Sequence, residues 1–335
     1  MKKKLIVFII LIILFLSFYL AFDFYNKIFV KHKDFLTSIT IDVRKGMSVN
    51  SIAKLLKDKK LIRNSFYFKV YYKLFGKGKT LRSGEYYFDK SISAKEILDK
   101  LIRGKVKLYA ITIPEGLTIE ETGRLLERYR GINFNNFIKN SKDISLIYDL
   151  DKTADDLEGY LYPDTYFLEK NTSSKEIIAI MVNRFKKKFS DQFMHRAKQL
   201  GMSVREVVTL ASLIEKETSS RDERFLISSV FHNRLRIGMP LGCDPTIIYA
   251  LKKDGIYNGK LGWKDLRYDS PYNTRLYKGL PPGPICSPGI GSIEAALYPD
   301  NTGYLYFVAK DSKSHYFSKT LKEHNEAVRE YILKK

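Results

Sequence analysis

The sequence predicts an α+β protein in three parts: one N-terminal membrane-spanning helix, a small strand–helix module, and a larger mixed α+β domain. Three observations carry this: an uncharged apolar run beside the N-terminus, a strand–turn–helix pattern that occurs twice, and capped amphipathic helices alternating with Pro/Gly loops. The expected boundaries are 1–25 for the cytoplasmic tip and anchor, 38–106 for the small module and 107–335 for the larger domain. At 335 residues the chain has room for such units at roughly 100–200 residues per domain.

The anchor comes first. Leu5 to Phe22 contains no charged residue, and Lys2, Lys3 and Lys4 precede it. That run approaches the roughly 20 residues a helix needs to cross a bilayer core. Lysines on the short side hold it in the cytoplasm, so the body after Phe22 lies outside. A cleaved signal peptide has a shorter apolar core, about 7–15 residues, followed by a small-x-small site. Ala21-Phe22-Asp23-Phe24 is a poor match to that site.

The repeat pattern of the small module starts at Ile41. Ile41-x-Val43-Arg44-Lys45-Gly46-Met47-Ser48 leads into a helix marked by Ile52, Leu55 and Leu56. The same order returns in Ile111-x-Ile113-Pro114-Glu115-Gly116-Leu117-Thr118, followed by Leu125 and Leu126. Ser48 and Thr118 stand where an N-cap hydroxyl is needed, and Thr118-x-x-Glu121 is a capping box. This unit resembles LysM-type glycan-binding modules; a purely structural repeat reads the same. Between the copies, 61–74 and 93–102 read as helices and 84–88 as a strand, and 103–105 form a polar link.

In the larger domain 174–200 reads as one Lys-rich helix. Ser203–Thr218 has the strongest pattern: a capping box at Ser203-x-x-Glu206 and an apolar stripe of Val204, Val207, Val208, Leu210, Ala211 and Ile214. The tail gives a strand at 305–309 and a helix at 320–333.

The formal charge of +21 attracts polyanions, whether nucleic acid, anionic lipid or cell-wall polymer. An extracytoplasmic body argues against nucleic acid. Neither Cys243 nor Cys286 belongs to a CxxC pair, and no HExxH is present, so metal chemistry and a metal cofactor have no support.

Candidate chemistry gathers at four places. Glu215-Lys216-Glu217-Thr218 ends the apolar helix, where a partly buried carboxyl holds its proton and serves as a general acid. Glu215 and Glu217 stand about 200° apart on the helix. Each lies at an edge of the stripe, so periodicity does not choose between them, and two solvent charges at a helix end read the same. Leu157–Tyr166 is dense in Tyr and contains Glu158 and Tyr162. Gly242–Tyr249 contains Asp244, Thr246 and Tyr249, with Asp244 placed as a cap before Pro245. Ser270–Thr274 and Gly279–Gly289 form a Pro/Gly loop with Tyr272 and Asn273. In each block the polar residues fix turns equally well. His315 and His324 complete the polar inventory.

Taken together these blocks resemble the endolytic murein transglycosylase (YceG-like) family. The resemblance runs from the anchor to about Val328. It is carried by Ile113–Gly116, Leu157–Tyr166, Ala211-Ser212-x-x-Glu215-Lys216-Glu217-Thr218, Val230–Leu235, Asp244-Pro245-Thr246, Tyr272-Asn273-Thr274, Gly279–Gly283 and His315-Tyr316-Phe317. It implies a single-pass protein of the cytoplasmic membrane whose extracytoplasmic body cuts nascent peptidoglycan strands. The cut falls between N-acetylmuramic acid and N-acetylglucosamine, leaves 1,6-anhydro ends and helps terminate strand elongation. It also implies penicillin-binding-type synthases as partners. By position the family's catalytic glutamate falls on Glu217. Asp244, Thr246, Tyr249, Tyr272, Asn273, Glu158 and Tyr162 are then expected to bind the sugar. The rivals are a lysozyme-type hydrolase and a membrane-tethered, non-catalytic glycan-binding scaffold for the synthases.

Overall fold

A computed structural model describes residues 2–31, 38–89, 91–311 and 314–333; Met1 and 334–335, at the ends of the expected first and last segments, lie outside them. The chain divides into two compact units, 1–110 with 167–172, and 111–166 with 173–335.

The first unit opens with α1 (Lys2–Ile28), whose apolar window lies free of any protein contact that would bury it. By length and composition this helix fits a single-pass anchor. The helix does not stop at Asp23. That carboxylate is neutralised within the helix by Lys27 at 2.9 Å and accepts a hydrogen bond from the Tyr67 hydroxyl at 2.6 Å. The last turn then buries Ile28 in the core of the unit. That core is built on β1 (Ile39–Val43), α2 (Val49–Asp58), α3 (Ser65–Phe75), β2 (Gly84–Phe88) and α4 (Ala94–Arg103). The two strands pair antiparallel, Ile41 opposite Tyr86 and Val43 opposite Gly84. Alternation sends Ile41, Val43, Tyr86 and Phe88 inward against Ile52, Leu56, Phe68, Ile97 and Leu101. Gly46, at φ +83°, makes the turn, and Ser48 caps α2 by accepting from Ser51 N. Asn64 caps α3, so 61–64 stand outside the helix expected there.

β3 (Tyr109–Thr112) pairs with β4 (Thr165–Leu168), and the division between the units falls within both strands. In the second unit Gly116, at φ +78°, repeats the strand–turn–helix step into α5 (Ile119–Arg130), capped by the Thr118/Glu121 box. α6 (Phe134–Asn140) follows. The expected single helix over 174–200 is two helices, α7 (Ser174–Lys188) and α8 (Asp191–Gln199), separated because Ser190 caps the second. α9 (Val204–Glu217) is the buried axis of the unit, with Val207 through Ile214 out of solvent. α10 (Arg221–Arg236), α11 (Asp244–Lys253) and α12 (Ile290–Leu297) pack on it. The tail forms a hairpin, β5 (Tyr306–Ala309) antiparallel to β6 (His315–Ser318), and then α13 (Leu321–Val328), whose last residues continue as a wider turn. Phe307 of the hairpin packs edge-on against Phe231 of α10.

Candidate active site

The two glutamates at the end of α9 have different surroundings. Glu215 receives Arg224 Nη2 at 3.3 Å on one oxygen, and Gly289 N at 3.0 Å and Ser292 Oγ at 2.8 Å on the other. Its carboxylate is fully engaged in joining α9 to α10 and α12. Arg224 also reaches Glu115 at 3.5 Å. The Glu115 carboxylate lies close over Gly289, where a Cβ would displace it. Glu217 has no ion pair among the described residues. Burial raises its carboxyl above the usual carboxylate range, and the nearby charge of Asp244 adds to this. A hydrogen bond from the Cys243 thiol and the proximity of His315 and the Arg234 guanidinium act the other way. The residue is nonetheless only partly buried. A carboxyl shifted toward its protonated form while still touching solvent suits a general acid.

The segment facing Glu217 is the start of α11. The N-cap is Cys243, not Asp244 as the Pro245 spacing suggests, and its thiol serves Glu217 rather than the helix end. Asp244 is the first helical residue and pairs with Arg275 Nε at 2.6 Å. Thr246 is fully buried; its hydroxyl donates to Cys243 O at 2.6 Å and lies 3.0 Å from the Thr274 hydroxyl. Thr274 Oγ1 in turn accepts from Cys243 N at 2.9 Å. Asn273 is fully buried too, and its amide donates to Leu266 O and Tyr268 O. These two polar residues therefore fix the backbone on which Cys243, Asp244 and Arg275 stand. Arg234 is clamped by Leu305 O at 2.6 Å and Leu241 O at 2.7 Å. His315 is held by Glu223 at 2.7 Å through both its Nδ1 and its backbone N.

A second group lies around Glu158. Its carboxyl accepts from Ile119 N at 3.1 Å, at the N-terminus of α5, and from the Tyr249 hydroxyl at 3.4 Å. Burial, with Asp156 beside it, pushes Glu158 up to about 8. Tyr249 and Tyr272 pack with centroids 5.0 Å apart and their planes tilted by 50°, and Lys253 lies over both rings. Glu158 and Tyr249 line a cleft of about 940 Å³ that Glu217 does not line. Gly159, at φ +85°, lets this segment approach Pro284 and Val208, where a Cβ would clash at 2.6 and 2.8 Å. Tyr162 belongs to neither group: it is buried, and its carbonyl accepts from the Tyr166 hydroxyl at 2.5 Å.

The eight expected site residues thus fall into a Glu217 group (Asp244, Thr246, Asn273), a Glu158 group (Tyr249, Tyr272) and an isolated Tyr162, with α11 contributing to both groups. Arg234, Arg275 and Glu223 were not among the expected site residues. The Asp244–Arg275 pair spans 31 positions, and no local pattern reveals such a pair. Cys243 and Cys286 are both buried free thiols. Among the described residues no cluster of His, Cys, Asp or Glu is arranged to hold a metal.

Comparison with known proteins places this geometry in context. The model of the YceG-like family matches residues 41–330. An endolytic murein transglycosylase of Bacillus subtilis (strain 168) is 36% identical over 319 residues, covering 90% of this chain and 87% of that protein. An endolytic murein transglycosylase of Streptococcus pneumoniae serotype 2 is 29% identical over 330 residues, covering 88% of this chain; the match spans 58% of that longer protein. The crystal structure of a yceG-like protein from Listeria monocytogenes superposes with a TM-score of 0.60 at 36% identity, covering 87% of this chain and 98% of that one.

Proposed function

The chain belongs to the YceG-like family, and from that premise we propose that it is a murein transglycosylase, a lyase acting within peptidoglycan glycan strands, with Glu217 as its acid and base. The observation that carries this is the contrast at the end of α9: Glu215 is consumed by structural bonds, while Glu217 is free of an ion pair among the described residues and burial shifts its carboxyl toward the protonated form.

One carboxyl group completes the reaction. Protonated Glu217 gives its proton to the oxygen between N-acetylmuramic acid and N-acetylglucosamine, and the C1–O bond breaks. The resulting carboxylate takes the proton of the muramyl C6 hydroxyl as that oxygen bonds to C1. Glu217 ends protonated again, no water is consumed, and the new end is a 1,6-anhydro sugar. Cys243 stabilises the ionised stage by donating to it, and Asp244 favours the protonated stage. Asp244 and Arg275 bind sugar polar groups beside Glu217, while Thr246 and Asn273 hold that wall in place. Glu158, Tyr249 and Tyr272 extend the substrate-binding face, and the buried Tyr162 lies outside it.

The remaining parts fit this role. α1 anchors the chain with its lysines inside and its body outside. The β1–α2–α3–β2 order with an antiparallel strand pair supports reading 38–106 as a LysM-like glycan-binding module, and 107–335 then forms the catalytic domain. Cleavage within nascent strands ends their elongation, and penicillin-binding-type synthases are the partners that supply them.

Mass spectrometry of strands treated with the wild type and with Glu217→Gln tests the assignment. Anhydro-muramyl ends made by the wild type and reduced at least 100-fold in the variant are expected, since positioned acid/base groups contribute about 10²–10⁴-fold. Reducing ends point instead to hydrolysis, with Asp244 as the second carboxylate. Bound but uncut strands favour the scaffold.

A further inference from the structure

The cleft beneath α5 and α11 is not used by the chemistry at Glu217, yet it is large and unusually charged. Its volume of about 940 Å³ is at the upper end of ordinary ligand sites, roughly 300–1,000 Å³. Its walls carry exposed Arg128, Lys142 and Lys253, and none of these has a carboxylate partner among the described residues. Glu120, on the same rim, has no cationic partner among them either. Lys252 and Glu121 neutralise each other at 2.9 Å and add nothing to this imbalance. Tyr129, strongly exposed, supplies apolar surface on the α5 side, and Tyr249 does so on the α11 side.

Unpaired charges of both signs on one aromatic-walled cleft suit a zwitterionic ligand. A neutral glycan has no use for three unpaired cations, and a polyanion meets Glu120 and Asp156. The distance also fits. α11 has 10 residues and so spans about 15 Å, with Asp244 at the Glu217 end and Lys253 at the cleft. A peptide of five residues reaches about 17 Å when extended.

Resting on the peptidoglycan reading above, we propose that this cleft binds the peptide stem borne by the muramyl sugar at Glu217. Arg128, Lys142 and Lys253 take the stem's carboxylates, and Glu120 takes its free amine. The enzyme thereby distinguishes strands whose stems are free from strands whose stems are already joined, because a cross-linked stem has lost the amine or the carboxylate that the cleft recognises.

Calorimetric titration of the full chain in lipid nanodiscs with a free synthetic stem pentapeptide tests this. The peptide is expected to bind the wild type and Glu217→Gln with equal affinity, and an Arg128→Glu/Lys253→Glu double variant at least tenfold more weakly. Both substitutions fall on exposed side chains, so the fold is retained, and thermal melting verifies it. No binding to the wild type, or undiminished binding to the double variant, overturns the proposal. So does displacement of the peptide by a peptide-free N-acetylglucosamine oligomer. Strand cleavage measured on the same preparation keeps the two claims apart. Peptide bound with strands uncut removes the reaction and leaves the cleft a peptide site; strands cut with no peptide bound removes the cleft's role alone.

Discussion

Glu215 and Glu217 are two residues apart and chemically identical, so their different roles come entirely from what surrounds them. Replacing Glu215 with Ala leaves Arg224 buried without its partner in α9. Breaking a buried pair in this way destabilises by roughly 3–5 kcal/mol, read as a lower urea midpoint. Glu217→Gln removes a carboxyl that burial already disfavours when ionised, so its urea midpoint at pH 8 stays level or rises while activity is lost. The neighbours of Glu217 make a second prediction with opposite signs. Because the Cys243 thiol favours the ionised form, Cys243→Ala moves the alkaline limb of the kcat/KM profile to higher pH. Asp244→Asn removes a like charge and moves it lower. The limb falls as pH rises, since the acid must be protonated to act.

Glu158 gives a third prediction, this time for stability. Its folded pKa, about 8, exceeds the ordinary glutamate value of 4.5. The folded state therefore binds the extra proton between those values, and the associated stability is fully present below about 4.5 and lost as pH rises through about 8. The melting temperature of the wild type should decline over that window, and that of Glu158→Gln should decline less. An equal slope in both proteins contradicts the buried, proton-holding Glu158.

At the level of elements, what was legible in the sequence was whatever is fixed locally. Ser48, Thr118 and Ser203 announced helix starts, and Gly46 and Gly116 announced left-handed turns, because caps and positive φ depend on neighbours a few residues away. The break at Phe189 was equally written in Ser190-Asp191, but the continuing run of Lys and apolar residues concealed it. β6 was not legible, because four residues with the pattern His-Tyr-Phe-Ser form a strand only when β5 is there to pair. Non-local contacts hid the rest of the site as well. Nothing near Asp244 in sequence points to Arg275, and the burial of Thr246 and Asn273 follows from packing of the 270–274 turn on α11. A close non-local approach offers a fourth prediction. Gly159→Ala, at φ +85° and with a Cβ 2.6 Å from Pro284 and 2.8 Å from Val208, lowers stability by about 1–3 kcal/mol, as overpacking does. Circular dichroism melts check this, and a melting temperature equal to wild type contradicts the packing described.

On the scale of the whole molecule, α1 has two functions along its length. Residues 5–22 are uncharged and unburied, whereas Ile28 belongs to the core of the first unit and Phe24 packs against it. A chain beginning at residue 23 is therefore expected to fold with the full chain's stability and to leave the membrane. One beginning at residue 31 exposes the faces that Phe24 and Ile28 cover and melts at lower temperature. The charge of +21 suits a body working against anionic lipid and wall polymer. Protease added to intact protoplasts should digest that body if the lysines of the N-terminus lie inside.

The central claim is that a single acid, Glu217, drives attack by the substrate's own C6 hydroxyl. Cleavage carried out in water enriched in oxygen-18, followed by mass spectrometry of the new muramyl ends, tests it most directly. Anhydro ends carrying no heavy oxygen, and absent with Glu217→Gln, are the predicted result. Reducing ends carrying one oxygen-18 show that water was the attacking group and contradict it.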